Sequence, residues 1–307
     1  MLEPIDLNWF LSGISLSVPL IFAALGGLLS ERAGIVNIAL EGMMLFGAFV
    51  GVAVTFWVGS PWAGLLAALM FGAVTGAIHA WFSITVRANQ IISATAINLV
   101  AAGLTAALIP TIWGVSGTSD AVESFGNLSI PLLRDLPWIG RAFTELNMFD
   151  YAALAAAPAL WVVLFRTRFG LRLRSCGESP KAAASVGINV IRVRYQAVIL
   201  SGMFAALGGV YLSLFELNRF QRNMTNGRGF LALAAMIFGK WKPVPALFAC
   251  LMFGMADAYQ LRAQARGLDL PTELLQALPY LMGLAALATI VGRANAPEGI
   301  GETYVKD

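Results

Sequence analysis

The sequence predicts an all-α polytopic membrane protein with about nine transmembrane helices, within a range of roughly eight to ten. Of its 307 residues, 58% are hydrophobic and only 12% are charged, whereas soluble domains carry about 25% charged residues. Apolar runs of roughly 20 residues, long enough to span a bilayer, recur from one end to the other. These runs are rich in Leu, Ala, Gly, Val and Phe, and they lack the alternation of a transmembrane β-barrel.

The predicted spans follow these apolar runs in chain order, and polar residues separate them. They cover residues 9–29, 35–58, 61–86, 91–113, 149–165, 195–217, 227–239, 243–261 and 274–291. The seventh run is short, so the total is about nine if it crosses the membrane and about eight if it is re-entrant. Lys240 and Lys242, directly after this run, favour crossing.

The orientation follows from the basic segment between the fifth and sixth spans, residues 166–194, in which Glu178 is the only acidic residue. Lys and Arg concentrate in cytoplasmic loops, which predicts that this segment is a cytoplasmic loop. Alternation then places the acidic or mixed stretch 114–148 outside, together with the N-terminus, and the C-terminus in the cytoplasm. Arg262 and Arg266 depart from the rule. Residues 1–307 are predicted to form one transmembrane domain.

The stretch GIVNIALEGMMLFGAF, residues 34–49, places Asn37 and Glu41 in an apolar run, one turn apart on the same face if the run is helical. A carboxylate at membrane depth is costly. Gly34 weakens helix continuity, so we predict a broken or kinked helix near residues 30–42, of the kind that lines a cavity in transporters. Two roles are open for Glu41: lining a path for a polar neutral solute, or pairing with a helix N-terminus or an arginine to fix the fold.

A second polar group begins the fourth span. It consists of Asn89, Gln90, Ser93 and Asn98. Intramembrane polar side chains face the bundle interior, where they either line a path or form interhelical hydrogen bonds. We treat these four, with Asn37 and Glu41, as candidate path residues. The single histidine, His79, is predicted to be an interhelical hydrogen-bond partner.

The cytoplasmic loop contains the segment ESPKAAASVGI, which predicts a helix of about two turns. Ser179 suits the N-cap and Pro180 the first turn, and Gly187 suits a left-handed stop. Its small side chains would let another protein approach closely. An ordinary amphipathic surface helix is the alternative.

Several functions are disfavoured by what the sequence lacks. The Gly239–Lys240 pair has no upstream glycine of a phosphate-binding loop, so ATP, if it drives transport, binds another chain. Histidine, cysteine and carboxylate residues do not occur at ligand spacing, which predicts no metal site, no catalytic triad and no bound cofactor. Nothing in the sequence points to a nucleic-acid partner.

Six segments together resemble the permease subunit of bacterial ABC importers of the ribose, branched-chain amino acid and nucleoside type. They lie within residues 26–282 and read GIVNIALEGMMLFGAF, ANQIISATAINL, RFGLRLRSCGESPKAAASVGI, SGMFAALGGVY, GRGFLALAAMIFGKWKP and LPYL. NIALEGMM together with GRGFLALAAMIFGKW most resembles the nucleoside branch, which includes guanosine and purine nucleoside permeases.

This resemblance implies a type II-like importer permease fold in the bacterial cytoplasmic (inner) membrane. It also implies that residues 177–187 form a coupling helix that sits in a groove of an ABC ATPase, which binds the ATP and Mg²⁺. The coupling residues would be Gly177, Glu178, Ser179, Pro180, Lys181, Ala183, Ala184 and Gly187. Further implied partners are a second homologous permease chain, giving a heterodimer, an extracytoplasmic substrate-binding lipoprotein or periplasmic protein, and membrane lipid.

The expected function is therefore transport of nucleosides by half of an ATP-driven importer. One alternative is the same machine carrying another small polar solute, such as riboflavin, a simple sugar or an autoinducer. An ion-coupled secondary transporter is a further alternative. The absence of a convincing internal repeat disfavours it, because such carriers usually contain repeats.

Overall fold

The computed structural model describes residues 7–125, 146–265, 271, 274–275, 277–289 and 296–305. Within these ranges the protein is helical, and a single antiparallel bridge joins Thr118 to Gln221. Two of the helices continue into π-helical turns, α3 through Trp81–Thr85 and α8 through Tyr211–Glu216. The helices are α1 (Leu7–Arg32), α2 (Leu40–Val58), α3 (Pro61–Ala80), α4 (Gln90–Trp113), α5 (Met148–Arg166), α6 (Arg168–Glu178), α7 (Pro180–Ser185), α8 (Val190–Val210), α9 (Arg228–Phe238), α10 (Pro243–Ala265) and α11 (Leu278–Thr289).

In the described part of the chain, seven helices are long and apolar enough to cross a membrane. They are α1, α2, α3 with its π-turn, α4, α5, α8 with its π-turn, and α10. The predicted all-α polytopic class is confirmed, whereas the predicted number of nine spans is not. Helix α9 has 11 residues and is about 16 Å long, roughly half the thickness of the hydrocarbon core.

Helix α1 lies at the centre of the bundle and α4 at its edge. In the most apolar window of each helix, 89% of α1 is buried inside the protein but only 22% of α4. Helix α1 packs mainly on α8 and α10, and α8 packs in turn on α2 and α3. This difference in burial means that α1 is surrounded by other parts of the protein. Helix α4 presents most of its surface outward, where lipid can solvate its apolar side chains.

Glycines bring α2, α3 and α8 into direct backbone contact. A Cβ atom added to Gly72 would lie 2.6 Å from the carbonyl oxygen of Gly202, and one added to Gly202 or Gly209 would collide with backbone oxygens of α3 or α2. Gly47 packs in the same way against Ala206. Small residues at helix crossings allow such close approach in membranes.

The chain leaves helical geometry between α1 and α2, in residues 33–39, which we name the break. Gly34 has φ +90°, a left-handed conformation that favours glycine. The predicted broken helix near residues 30–42 is therefore confirmed. Helix α2 begins only at Leu40, so the prediction that Asn37 and Glu41 share one helical face is wrong. The reason is that other helices supply hydrogen bonds to the backbone of residues 35–38, which replaces helical bonding there.

The predicted cytoplasmic loop, residues 166–194, is more helical than expected. Helix α8 begins at Val190, five residues before the predicted span, because the Asn189 side chain caps it by accepting a hydrogen bond from the Arg192 amide. The basic residues before the predicted coupling segment (residues 177–187) lie in α6, which Thr167 caps. The middle of the predicted outer loop, residues 126–145, lies outside the described residues, as does part of the predicted last span.

Candidate functional site

Side chains from three helices satisfy the backbone of the break at Val36 and Ile35. The Val36 amide donates to Oε1 of Gln90 at 2.7 Å, and Nε2 of His79 lies 3.0 Å from the Val36 carbonyl oxygen. Ser30 donates its hydroxyl to the Ile35 carbonyl at 2.7 Å. An unpaired backbone group costs several kcal/mol in a lipid-like environment, so these polar side chains stabilise the non-helical segment.

Asn98 of α4 pairs with the end of the break and the start of α2. Its Nδ2 donates to the Ile38 carbonyl at 3.0 Å, and its Oδ1 accepts from the Gly42 amide at 2.8 Å. The first amides of a helix have no acceptor within that helix, and Asn98 supplies an acceptor for one of them from a neighbouring helix. A single side chain thus ties α4 to the point where α2 begins.

Asn37 and Ser93 extend the same network to α8 and α3. The side-chain Nδ2 of Asn37 donates to the hydroxyl of Ser201 at 2.8 Å. Its side-chain Oδ1 accepts from the backbone amide of Ala39 at 3.1 Å. Ser93 lies 3.0 Å from Nδ1 of His79. The predicted role of His79 as an interhelical hydrogen-bond partner is confirmed.

Glu41 holds the N-terminus of α9. Its two carboxylate oxygens accept from the Gly227 amide at 2.8 Å and the Gly229 amide at 2.7 Å. The partial positive charge of a helix N-terminus favours an anion there. Of the two roles left open by the sequence, these contacts correspond to pairing with a helix N-terminus.

The structure therefore brings five of the six candidate path residues together around the break and the start of α2: Asn37, Glu41, Gln90, Ser93 and Asn98. Asn89 stands apart, because it is exposed and caps α4 by accepting from the amides of Ile91 and Ile92. In the described part of the protein, Nε2 of Gln90 is buried without a hydrogen-bond partner.

The coupling segment, residues 177–187, has the geometry predicted from its sequence. Ser179 caps α7 by accepting from the Ala182 amide at 3.4 Å, Pro180 occupies its first turn, and Gly187 has φ +82°. The end of α6 lies beside Arg32, the last residue of α1, and Arg32 forms an ion pair of 3.6 Å with Glu178.

The outward face of the coupling segment differs from the predicted set. Ala183 is buried within the chain, with 3% of its surface exposed, and Gly177 and Pro180 are also buried. Those three are therefore not available to a partner, because they are buried within the chain. The exposed residues include Val186, which is 75% exposed. The spacing of Lys181, Ala182, Ser185 and Val186, three and four residues apart, could have indicated this face.

A polar loop, residues 217–227, was missed by the sequence analysis. It links α8 to α9 and borders an open pocket of about 400 Å³. Asn218, Asn223 and Asn226 have positive φ angles, which asparagine tolerates better than most residues. The polar residues that line the pocket are Glu216, Gln221, Arg222, Asn223, Asn226 and Arg228. The run ELNRFQRNMTNG, too polar to span, was the available signal.

Comparison with known families gives one match over most of the chain. The profile described as branched-chain amino acid transport system / permease component matches residues 9–287. This chain belongs to that family. The permease assignment agrees with the seven apolar helices and with the resemblance inferred from the sequence motifs.

Two relatives of this permease match it almost end to end. The guanosine ABC transporter permease protein NupQ of Bacillus subtilis (strain 168) is 42% identical, and the alignment covers 94% of each chain. The nucleoside ABC transporter permease protein NupC of Lactococcus lactis subsp. cremoris (strain MG1363) is 39% identical, again over 94% of each chain. A second guanosine permease protein of B. subtilis, NupP, is 25% identical over 77% of this chain and 69% of its own length.

A solved structure shares the fold of this permease. It is a metal-chelate type ABC transporter in an inward-facing conformation, with a TM-score of 0.51 and 17% sequence identity. The likeness covers 93% of this chain and 87% of the other. At this identity the similarity concerns the fold alone.

Proposed function

We propose that this protein is the transmembrane subunit of an ATP-driven importer and forms half of the translocation path for nucleosides. The observation that carries the proposal is the likeness to guanosine and nucleoside permeases over 94% of each chain. The family match includes the break, the coupling segment and the polar loop. It therefore supports one function for the whole chain and not only for one motif.

Energy is proposed to come from a separate ABC ATPase that binds ATP and Mg²⁺. The coupling segment supports this, because α7 has six residues and presents Lys181, Ala182 and Val186 outward. Small side chains beside one exposed valine suit insertion into a groove, and Glu178 and Lys181 offer charges at its edge. ATP hydrolysis would then be coupled to transport mechanically, because closure of the ATPase pushes α7 and the helices that contact it.

A second, homologous permease chain is proposed to complete the path, so that the pair is a heterodimer. The guanosine permeases NupQ and NupP of one organism both match this chain, which supports a system with two different permeases. The second chain and membrane lipid together would cover the apolar outer surface of α4, where Ile92, Leu99 and Val100 are exposed.

The solute is proposed to meet the polar loop first and the break second. Asn223, Asn226 and Gln221 line the pocket beside α9, and amides can both donate to and accept from ribose hydroxyls and base edges. Below it, the candidate path residues surround the break, where the free Nε2 of Gln90 can donate to a passing solute. Weak, distributed contacts of this kind suit a pathway from which the solute must also leave.

The proposed setting is the bacterial cytoplasmic membrane, with the N-terminus outside and the C-terminus in the cytoplasm. Solute would arrive on an extracytoplasmic lipoprotein or periplasmic binding protein. Basic residues at the end of α5 and in α6 support a cytoplasmic interface there. Arg166 of α5 lies over Trp161 at 5.6 Å, and Arg174 of α6 lies over Phe165 at 4.7 Å.

Uptake by the reconstituted importer tests the proposal. Proteoliposomes containing this permease, its partner permease, the ATPase and the binding protein should accumulate labelled guanosine when ATP is enclosed. If guanosine is not taken up, the same assay with labelled ribose, riboflavin or an autoinducer identifies the solute class. In each case an excess of the unlabelled compound should reduce the uptake. Uptake without the ATPase under an ion gradient would contradict the ABC assignment and favour a secondary transporter.

A further inference from the structure

Arg194 is almost completely buried at the cytoplasmic end of α8, with 1% of its surface exposed. Each nitrogen of its guanidinium donates to a backbone carbonyl from a different segment. Nε donates to Ala33 at 3.0 Å, Nη1 to Glu302 at 2.9 Å and Nη2 to Cys176 at 3.4 Å. We name this set of contacts the junction.

The three segments that meet at the junction have distinct roles. Ala33 begins the break, and Cys176 immediately precedes the coupling segment. Glu302 belongs to the C-terminal tail, residues 296–305. A planar guanidinium with fixed donor directions can hold three such acceptors in one arrangement. Arg194 therefore fixes the position of the break relative to the coupling segment.

The tail adds a second connection between the same two segments. The Gly299 amide donates to the Gly177 carbonyl at 2.8 Å, and the Gly301 amide donates to the Gly34 carbonyl at 3.0 Å. Two amides of one short stretch thus bond to the coupling segment and to the break. Gly301 has φ +79°, which lets the tail turn between these two contacts.

The packing at the junction leaves no space for independent movement. A Cβ atom on Gly34 would lie 2.7 Å from Nη2 of Arg194 and 3.0 Å from the Gly299 carbonyl oxygen. A Cβ atom on Gly177 would collide with the Arg32 carbonyl oxygen. If the coupling segment moved alone, the buried guanidinium would lose an acceptor, which is unfavourable for a charged group away from water.

We propose that Arg194, with the tail as a strap, is the positioning residue that transmits movement of the coupling segment to the break. The inference rests on the proposed function, because it concerns how ATPase movement reaches the path. When the ATPase pushes α7, Cys176 moves and displaces Arg194 through their hydrogen bond. Arg194 in turn displaces Ala33 through its own hydrogen bond. The push thereby reaches the residues that hold the start of α2.

The first test needs neither partner nor solute. In the purified chain, Arg194→Gln should increase hydrogen exchange together in residues 33–39, 176–187 and 297–304, because one side chain orders all three. The matched control is Arg192→Gln, which removes an exposed arginine two residues earlier on the same helix. Exchange that rises only within α8, or equally in both variants, would overturn the junction.

The second test measures solute imported per ATP hydrolysed in the reconstituted complex. Arg194→Gln should keep ATPase association but lower this ratio at least about tenfold, because a glutamine cannot hold all three carbonyls in one arrangement. Arg194→Lys should restore protein yield without restoring the ratio, because an ammonium cannot bond all three carbonyls in the same geometry. A chain that ends at Ala296 should also lose coupling, which tests the strap.

A purely structural role gives a different result. If Arg194→Gln lowers uptake and hydrolysis together, with the ratio unchanged, the transmission role is overturned. A wild-type ratio in the chain that ends at Ala296 would overturn the strap. Failure of the wild-type complex to take up guanosine would contradict the proposed function. If wild type and Arg194→Gln import the same amount of solute per ATP, only this inference is contradicted.

Discussion

The carboxylate of Glu41 accepts the Gly229 amide at 2.7 Å, across 188 residues of sequence. With the bond to the Gly227 amide, this contact fixes the start of α9 against the start of α2. Two helices that both begin inside the protein therefore depend on one carboxylate. Among the described residues, the carboxylate is bonded by these amide donors and forms no ion pair with a basic side chain.

Replacing Glu41 with Gln should lower the stability of the purified chain by about 1.5–3 kcal/mol, because the amide offers one acceptor oxygen for two backbone donors. The midpoint of thermal unfolding in detergent measures this change. Glu123→Gln is the control, since Glu123 is exposed. Normal stability of Glu41→Gln with impaired uptake would contradict the structural role and support contact with solute.

Replacing Gly202 with Ala should destabilise the protein, because the new Cβ atom would collide with the carbonyl oxygen of Gly72. We expect a loss of about 1–3 kcal/mol, as for other overpacked interiors. Gly103→Ala is the matched control, since Gly103 also lies inside a helix but has nothing within 4 Å of the added atom. Unfolding midpoints that fall equally in both variants would argue against backbone contact between α3 and α8.

Replacing Asn98 with Leu should loosen the break selectively. The change leaves the Ile38 carbonyl and the Gly42 amide without partners, at a cost of about 1–3 kcal/mol for each group. Hydrogen exchange in residues 36–42 should therefore increase. Thr95→Val is the control, because Thr95 bonds only to the Ile91 carbonyl of its own helix. Unchanged protection in Asn98→Leu would show that Asn98 does not hold the break.

Cys176 should react slowly with maleimides in the folded protein. Burial raises the pKa of its thiol to about 11, although the nearby Arg194 opposes the shift. Because the pKa is raised, the thiol stays neutral at pH 7.5 and fewer than about one in a thousand molecules carry the reactive thiolate. Labelling should rise with pH up to that value and become fast in SDS. Val186→Cys, at an exposed position, provides the fast-reacting control, and fast native labelling of Cys176 would contradict its burial.

Reversing charge or adding charge on the exposed face of the coupling segment should weaken ATPase binding at least about tenfold. Lys181→Glu and Val186→Asp are the informative variants, measured by co-purification with the ATPase. Val115→Asp is the control, because Val115 is also an exposed valine but lies after α4 on the predicted outer side. Unchanged co-purification of both coupling variants would refute the proposed docking face.

The features that sequence predicted correctly depend on residues close together in the chain. Ser179, Pro180 and Gly187 encode the ends of α7 within nine positions, and Gly34 marks the break by its own conformational freedom. The partners of Glu41 and Arg194 were not predictable in this way, because they are backbone groups, all but the Cys176 carbonyl more than 100 residues away, and carry no sequence signal. Ala183 was assigned outward for the same reason: its burial depends on which side of α7 meets the core.

The glycine contacts among α2, α3 and α8 restrict how this permease can change shape. Sliding of one helix over another needs a layer of side chains that can exchange partners, and at Gly72 and Gly202 no such layer exists. These three helices must then tilt as a single block. The borders of that block are α4, which presents most of its surface outward, on one side, and the non-helical residues 33–39, through which α1 joins α2, on the other.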